Sequence, residues 1–234
     1  MNLVIDAGNT NIKLGAFEKD TFLWAESYQN VPDVIIRIAS LIPEHIFISS
    51  VGAITEWNLQ NIHSCIVLMG TKTALPIQIR YESRETLGTD RIAAACAVSY
   101  LYKGQNVLFF DAGTCLTHGF TNESGTFMGG SISPGLEMRL QALHQFTAKL
   151  PYVPLDQEQL TGNSTQSSIL SGVINGMLYE IEGFINAYQN KYGNLIVLIT
   201  GGNASLFEKR LKQPIFVVTE LNLIGLNRIL NYNV

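Results

Sequence analysis

A mixed α/β fold, strands sheltered by helices and the plan begun again about midway, follows from three observations on this chain. The first is a repeated stretch. Leu3-Val4-Ile5-Asp6-Ala7-Gly8 and Val107-Leu108-Phe109-Phe110-Asp111-Ala112-Gly113 are apolar runs of buried-strand length that end in Asp-Ala-Gly. Each resumes as a second strand-like stretch, Ile12 to Phe17 and Leu116 to Phe120. The second observation is alternation: after three antiparallel-looking strands, apolar strand runs follow helix-patterned segments, which makes a mixed sheet with helices on its faces. The third is glycine turns at or beside strand ends, at Gly8, Gly113, Gly129-Gly130 and Gly201-Gly202, where ligands gather in open α/β sheets.

In chain order, Thr21 to Tyr28 reads as the third strand. A helix over Pro32 to Leu41 carries apolar residues at Val34, Ile35, Ile38 and Leu41, started by Pro32 or Asp33. Ile46 to Val51 is a buried strand that Gly52 ends. Thr55 to Asn61 reads as a short helix, Cys65 to Met69 as a strand, and Ile77 to Tyr81 as an edge strand behind Pro76. Gly88-Thr89-Asp90-Arg91 opens a helix over Ile92 to Tyr102, closed by Lys103 and Gly104.

The second half begins there, so the expected domains are 1–104 and 105–234. After the second Asp-Ala-Gly unit comes a glycine-rich stretch, Gly125 to Gly135. An amphipathic helix from Leu136 to Leu150 is broken by Pro151 and Pro154. A long helix from about Gln166 to Tyr192 carries Gly172, Gly176 and Gly183. Each glycine costs a helix interior roughly 1 kcal/mol against alanine. Gly172 and Gly176 share a face and admit a close neighbour, either a helix of this chain or a second copy. Leu195 to Thr200, Ile215 to Val218 and a helix from Asn222 to Leu230 complete the reading.

Composition narrows the function. With 234 residues, 47% hydrophobic and 15% charged, the chain is globular and has ample core. A net charge of −4 without a basic cluster argues against nucleic acid as a partner. The apolar runs are too short to span a bilayer, and Asp6 interrupts the first of them, so no secretory signal is read. A cytoplasmic protein is the expectation. Cys65, Cys96 and Cys115 are widely spaced, which fits neither a disulfide framework nor a zinc site. Cys115 is read as a small buried filler, with a thiol lining a site as the other choice.

The chemistry lies in the Asp-Gly turns. A carboxylate at a strand end, beside a turn rich in N–H and hydroxyl donors, can hold a cation and the phosphates it neutralises. A plain hairpin turn, its aspartate bonded to its own backbone, is the alternative for either copy alone, and recurrence favours the phosphate reading. Neither a P-loop nor a dinucleotide-binding fingerprint is present.

An ordered set of motifs then makes the chain resemble the type III pantothenate kinases, of the acetate/sugar kinase–heat-shock protein–actin superfamily. These are Asp6-Ala7-Gly8-Asn9-Thr10 with Lys13, Arg80-Tyr81, Leu87-Gly88-Thr89-Asp90-Arg91, Asp111-Ala112-Gly113-Thr114, Gly129-Gly130-Ser131-Ile132-Ser133-Pro134-Gly135 and Thr200-Gly201-Gly202-Asn203. The resemblance implies two ribonuclease-H-like (actin-like ATPase) lobes with a nucleotide cleft between them. It implies a homodimer that uses ATP, Mg²⁺ and a monovalent cation, K⁺ or NH₄⁺, to phosphorylate pantothenate, the first step of coenzyme A biosynthesis.

By position, it implies that Asp6, Ala7, Gly8, Asn9, Thr10, Asn11, Ile12 and Lys13 form the phosphate turn, with Asp6 on the Mg²⁺ side. Asp90 would be the general base, and Tyr81, Gly88, Thr89 and Arg91 would hold pantothenate. Asp111 would bind the monovalent cation, Thr114 would contact ATP, and Thr165 would reach pantothenate across the dimer. One departure is visible, since many members carry an aspartate where this chain has Gly119.

Physical chemistry bears on two of these roles without the resemblance. Asp90 at a helix start is otherwise an N-cap worth about 1 kcal/mol. Arg91 in the first turn opposes the helix dipole, which an anion lying there would explain. Two rival functions stand beside pantothenate phosphorylation: a kinase for another small hydroxylated acid, and a non-catalytic regulatory protein of the same fold.

Overall fold

The computed structural model describes residues 1–234 except 9, 51–56, 58–61 and 63–64. The short helix expected over Thr55 to Asn61 therefore lies outside the described residues, apart from Trp57, which is buried.

The chain divides into two compact units. Unit 1 comprises residues 1–105, 121–129 and 220–234, and unit 2 comprises 106–120 and 130–219. The sheet of unit 1 is built from β1 (Asn2–Ala7), β2 (Ile12–Glu18), β3 (Thr21–Tyr28), β4 (His45–Ser50) and β5 (Cys65–Leu68), in the order β3-β2-β1-β4-β5. β1 pairs antiparallel with β2 and parallel with β4, so the sheet is mixed. The second sheet carries β7 (Val107–Ala112), β8 (Cys115–Thr121), β9 (Thr126–Pro134), β10 (Ile196–Thr200) and β11 (Phe216–Val217), in the order β11-β10-β7-β8-β9. Read from its third strand, that order is the same third-second-first-fourth-fifth arrangement as in unit 1. The Asp-Ala-Gly repeat thus marks the end of the first, central strand of each of two like-ordered sheets. β6 is only Gln78–Ile79 and pairs in parallel with Thr126 and Phe127, within unit 1.

Helices cover both faces of the first sheet. β1 is buried on both sides: Leu3, Val4 and Ile5 are wholly inaccessible. Leu3, Ile5, Ile46 and Ile48 meet Val34 and Ile38 of α1 (Val31–Ala39). Asn30 caps α1 by accepting from the Asp33 N–H at 3.0 Å, so the helix begins one residue before Pro32. Arg37 of α1 holds Glu26 of β3 through two 2.9 Å bonds. α2 (Thr89–Leu101) and α7 (Leu221–Asn233) also belong to unit 1. They touch so closely that a Cβ on Gly225 would overlap the Ala93 carbonyl. Near-continuous burial from Arg91 to Val98 follows.

Several elements differ from the sequence reading. Gly129-Gly130 is no turn but lies inside β9. A Cβ on Gly130 would overlap the His118 carbonyl of β8, so glycine is needed there for strand approach. α3 (Leu136–Gln145) stops five residues short of Leu150, and just beyond its end the Thr147 hydroxyl donates to the Leu143 carbonyl at 2.7 Å. The expected helix from Gln166 to Tyr192 is α4 (Thr165–Leu170), a π-helical stretch Ser171–Asn175, then α5 (Gly176–Tyr192). Among the described residues, a Cβ on Gly172, Gly176 or Gly183 would meet nothing within 4 Å. α6 (Ala204–Glu208) follows β10.

Candidate active site

In unit 1, the β1–β2 hairpin sets Asp6 directly opposite Lys13 and Ala7 opposite Ile12. The Gly8 N–H donates to the Asn11 carbonyl at 3.2 Å, closing the turn. The Asn11 side chain accepts from Gln29 at 2.7 Å. Thr10 lies on the exposed crest, and Asn9 is outside the described residues. Across the sheet, Asp6 is in parallel register with Ser49 of β4.

The start of α2 faces this edge. Its N-cap is Gly88, with no side-chain capping bond, so Asp90 sits inside the first turn and does not serve as the cap. The Asp90 carboxylate lies where a Cβ on Gly88 would be, so glycine at 88 leaves room for this side-chain position. The Ser49 hydroxyl donates to Thr89 Oγ1 at 2.9 Å.

Arg91 is the unusual residue. It is only 6% exposed, and its Nε and Nη2 are buried with no hydrogen-bond partner. Among the described residues its one polar contact is a long one, Nη1 to the Tyr81 hydroxyl at 3.5 Å. The guanidinium stacks 5.5 Å from the Tyr81 ring centre and 5.7 Å from that of Phe127. Gly129, with φ +95°, passes under the Tyr81 ring at 3.6 Å from where its Cβ would be. Protein interiors rarely leave a charged donor unsatisfied. This cation is held by two aromatic faces, and among the described residues its Nε and Nη2 meet no acceptor.

In unit 2, Asp111 ends β7 in register with Thr200 of β10. Three glycines crowd the turn. A Cβ on Gly113 would lie 3.3 Å from Asp111 Oδ1, one on Gly201 (φ +92°) would overlap that oxygen, and one on Gly135 would overlap the carbonyls of Gly113 and Thr114. The result is an oxygen-lined turn of one carboxylate and backbone carbonyls, with Thr114 in it. Among the described residues no three Asp, Glu, His or Cys side chains form a metal cage. Cys115 is half-buried, its sulfur 3.9 Å from that of Met138. His118, beside the buried Gly119, is bonded to Ser131 at 2.6 Å and Tyr188 at 3.3 Å.

Thr165, also in unit 2, is the first residue of α4, behind a Ser164–Ser167 capping box. It is exposed and lines an open hollow of about 820 Å³ with Leu143, Leu150, Asn163 and Gly172.

The structure thus brings Asp6 with Lys13, and Tyr81 with Arg91, and it surrounds Asp111 with glycine. Two neighbours escaped the sequence reading. Phe127, the second ring over Arg91, gave no signal beyond an apolar residue in a glycine-rich stretch. Ser49 gave only that of a hydroxyl near a buried strand's end.

A solved structure from Campylobacter jejuni, described as of a Baf family transcriptional activator, superposes with a TM-score of 0.63 at 21% identity, over 99% of this chain and 98% of that one. A ROK hexokinase from Thermus thermophilus matches at 0.50 and 12% identity, over 97% of both chains. These likenesses bear on fold alone, and with the two like-ordered sheets they define an actin-like ATPase and sugar-kinase fold. The family is narrower. Residues 2–187 match the model of the type III pantothenate kinases, and a type III pantothenate kinase from Cytophaga hutchinsonii is 57% identical over 235 residues, covering all of both chains. The chain belongs to the type III pantothenate kinase family.

Proposed function

We infer that this protein transfers the γ-phosphoryl group of ATP to the primary hydroxyl of pantothenate, giving 4'-phosphopantothenate at the start of coenzyme A biosynthesis. The observation that carries this reading is the buried Arg91 guanidinium one residue from Asp90, its Nε and Nη2 without a partner among the described residues. A guanidinium held in this way suits a carboxylate through charge-assisted bonds, and pantothenate has both a carboxylate and a primary hydroxyl.

Arg91 and Tyr81 take the carboxylate end, and Gly88 and Thr89 take the polar groups beside it. Asp90, kept clear by the absent side chain at Gly88, accepts the hydroxyl proton as the oxygen–phosphorus bond forms and the bond to ADP breaks. The hairpin from Asp6 to Lys13, with Ala7, Gly8, Asn9, Thr10, Asn11 and Ile12, holds the phosphates, Lys13 adding positive charge opposite Asp6. Thr114 contacts ATP. Mg²⁺, when bound, neutralises phosphate charge. Asp6 fits it as a single carboxylate ligand, since this ion is commonly held by one or two carboxylates together with the phosphates themselves. The oxygen-lined Asp111 turn fits K⁺ or NH₄⁺ in the same way. The open face at Gly172 and Gly176, beside exposed Thr165, supports a homodimer in which Thr165 reaches pantothenate in the second copy. ATP-dependent chemistry suits a cytoplasmic setting, and among the described residues no helix is long and apolar enough to cross a membrane.

ADP release in a coupled assay tests the reading, with pantothenate, with other small hydroxylated acids and with none. Release that depends on pantothenate is the expected result. Release only with another acid makes this a kinase of different acceptor, and no release with any acceptor returns it to a regulatory role.

A further inference from the structure

We propose that Ser49 is a positioning residue for acceptor binding, acting through Thr89. The inference rests on the reading of Thr89 as an acceptor contact. Ser49 is 1% exposed, near the end of a strand whose Ile46, Phe47 and Ile48 are fully buried. Its hydroxyl therefore has to find a partner inside the protein, and that partner is Thr89 Oγ1, at 2.9 Å, in the first turn of α2.

The register gives the bond its meaning. Ser49 is the parallel-strand partner of Asp6, so the two side chains leave the same face of the sheet about 4.8 Å apart. On the opposite face, Ile5 and Ile48 meet α1. Asp6 and Ser49 therefore point to the other face, the one from which α2 begins. Ser49 is the covalent neighbour of neither Asp6 nor Asp90, yet its hydrogen bond to Thr89 ties the strand edge bearing one to the helix start bearing the other.

The direction of the bond matters as well. Ser49 donates, so the Thr89 oxygen accepts with one of its own lone pairs and keeps its proton to donate elsewhere. Half-buried Thr89 is then oriented as a donor toward an acceptor molecule. Without Ser49 the Thr89 hydroxyl is free to rotate, and its donor direction is shared among rotamers.

The test is steady-state kinetics on Ser49→Ala, Ser49→Cys, Thr89→Val and the Ser49→Ala/Thr89→Val pair, with thermal melts of each. Ser49→Cys keeps the shape of the buried site but is a weak donor, which separates the hydrogen bond from simple filling. The expected result is that Ser49→Ala and Ser49→Cys both raise the KM for pantothenate about 3- to 10-fold, the scale of one hydrogen bond. The KM for ATP should stay within twofold. The double variant should be no worse than Thr89→Val alone, because both substitutions remove the same link. The proposal is overturned if Ser49→Cys matches the wild type, if both KM values move together, or if the effects in the pair are additive. If Thr89→Val itself leaves the pantothenate KM unchanged, the acceptor reading of Thr89 fails first and the role of Ser49 falls with it.

Discussion

Replacing Arg91 by methionine should stabilise the ligand-free protein and disable it. The native side chain buries a guanidinium whose Nε and Nη2 have no partner. Each unmet buried polar group costs about 1–3 kcal/mol. Against this stand the stacking contacts with Tyr81 and Phe127, each worth about 0.5–2 kcal/mol. The 3.5 Å contact to the Tyr81 hydroxyl adds little. Methionine keeps an apolar stem against both rings and removes the unmet charge, so a net gain of about 1–2 kcal/mol is expected. For a chain of this length that raises Tm by roughly 2–8 °C. Binding should move the other way. Removing one partner of a buried charge pair costs about 2–4 kcal/mol, or about 30- to 1000-fold in pantothenate affinity, with ATP affinity nearly unchanged. Calorimetric melting without ligands and titration calorimetry with each ligand read both effects. A lower Tm, or pantothenate affinity within threefold of the native value, would refute the reasoning.

Asp90→Asn should lower turnover about 10²- to 10⁴-fold while shifting stability by no more than about 1 kcal/mol from the helix dipole. Gly88 and not Asp90 caps α2, so near-normal turnover would leave the reaction without a base. Gly225→Ala should cost about 1–3 kcal/mol by overpacking, because its Cβ overlaps the Ala93 carbonyl; an unchanged melting curve would contradict that close approach. Activity should require K⁺ or NH₄⁺, and full activity of both wild type and Asp111→Ala in sodium-only buffer would count against the cation assignment. Burial pushes the Cys96 thiol up to about 12 from an ordinary value of 9.0. Above pH 9 the unfolded chain therefore loses a proton that the native one keeps, and stability falls as pH rises toward 12. Denaturant melts at pH 8 and 10 should show this slope in wild type and a shallower one in Cys96→Ala.

Most of the elements were legible in the sequence, as were the candidate residues that they carry. The Asp-Ala-Gly runs predicted two strand–turn–strand units because an apolar run, a carboxylate and a glycine leave little conformational choice locally. Gly104, with φ +79°, stands just beyond the end of α2 as its glycine signal predicted. Arg91 was legible as a cation in an unfavourable helix position. Tertiary structure decided what depends on neighbours distant in the chain. Gly129-Gly130 reads as a turn to any local rule, yet it lies in a strand because the backbone of β8 passes too close for a side chain. Asp90 reads as a cap, yet Gly88 takes that place and yields its side-chain space to the carboxylate. Ser49 and Phe127 carry no local signal, since a hydroxyl 40 residues from its partner and a ring stacked on a guanidinium are brought together by strand register and helix packing. Local propensity acts over a few residues, whereas close approach, burial and the pairing of charge depend on which surfaces the folded chain brings into contact.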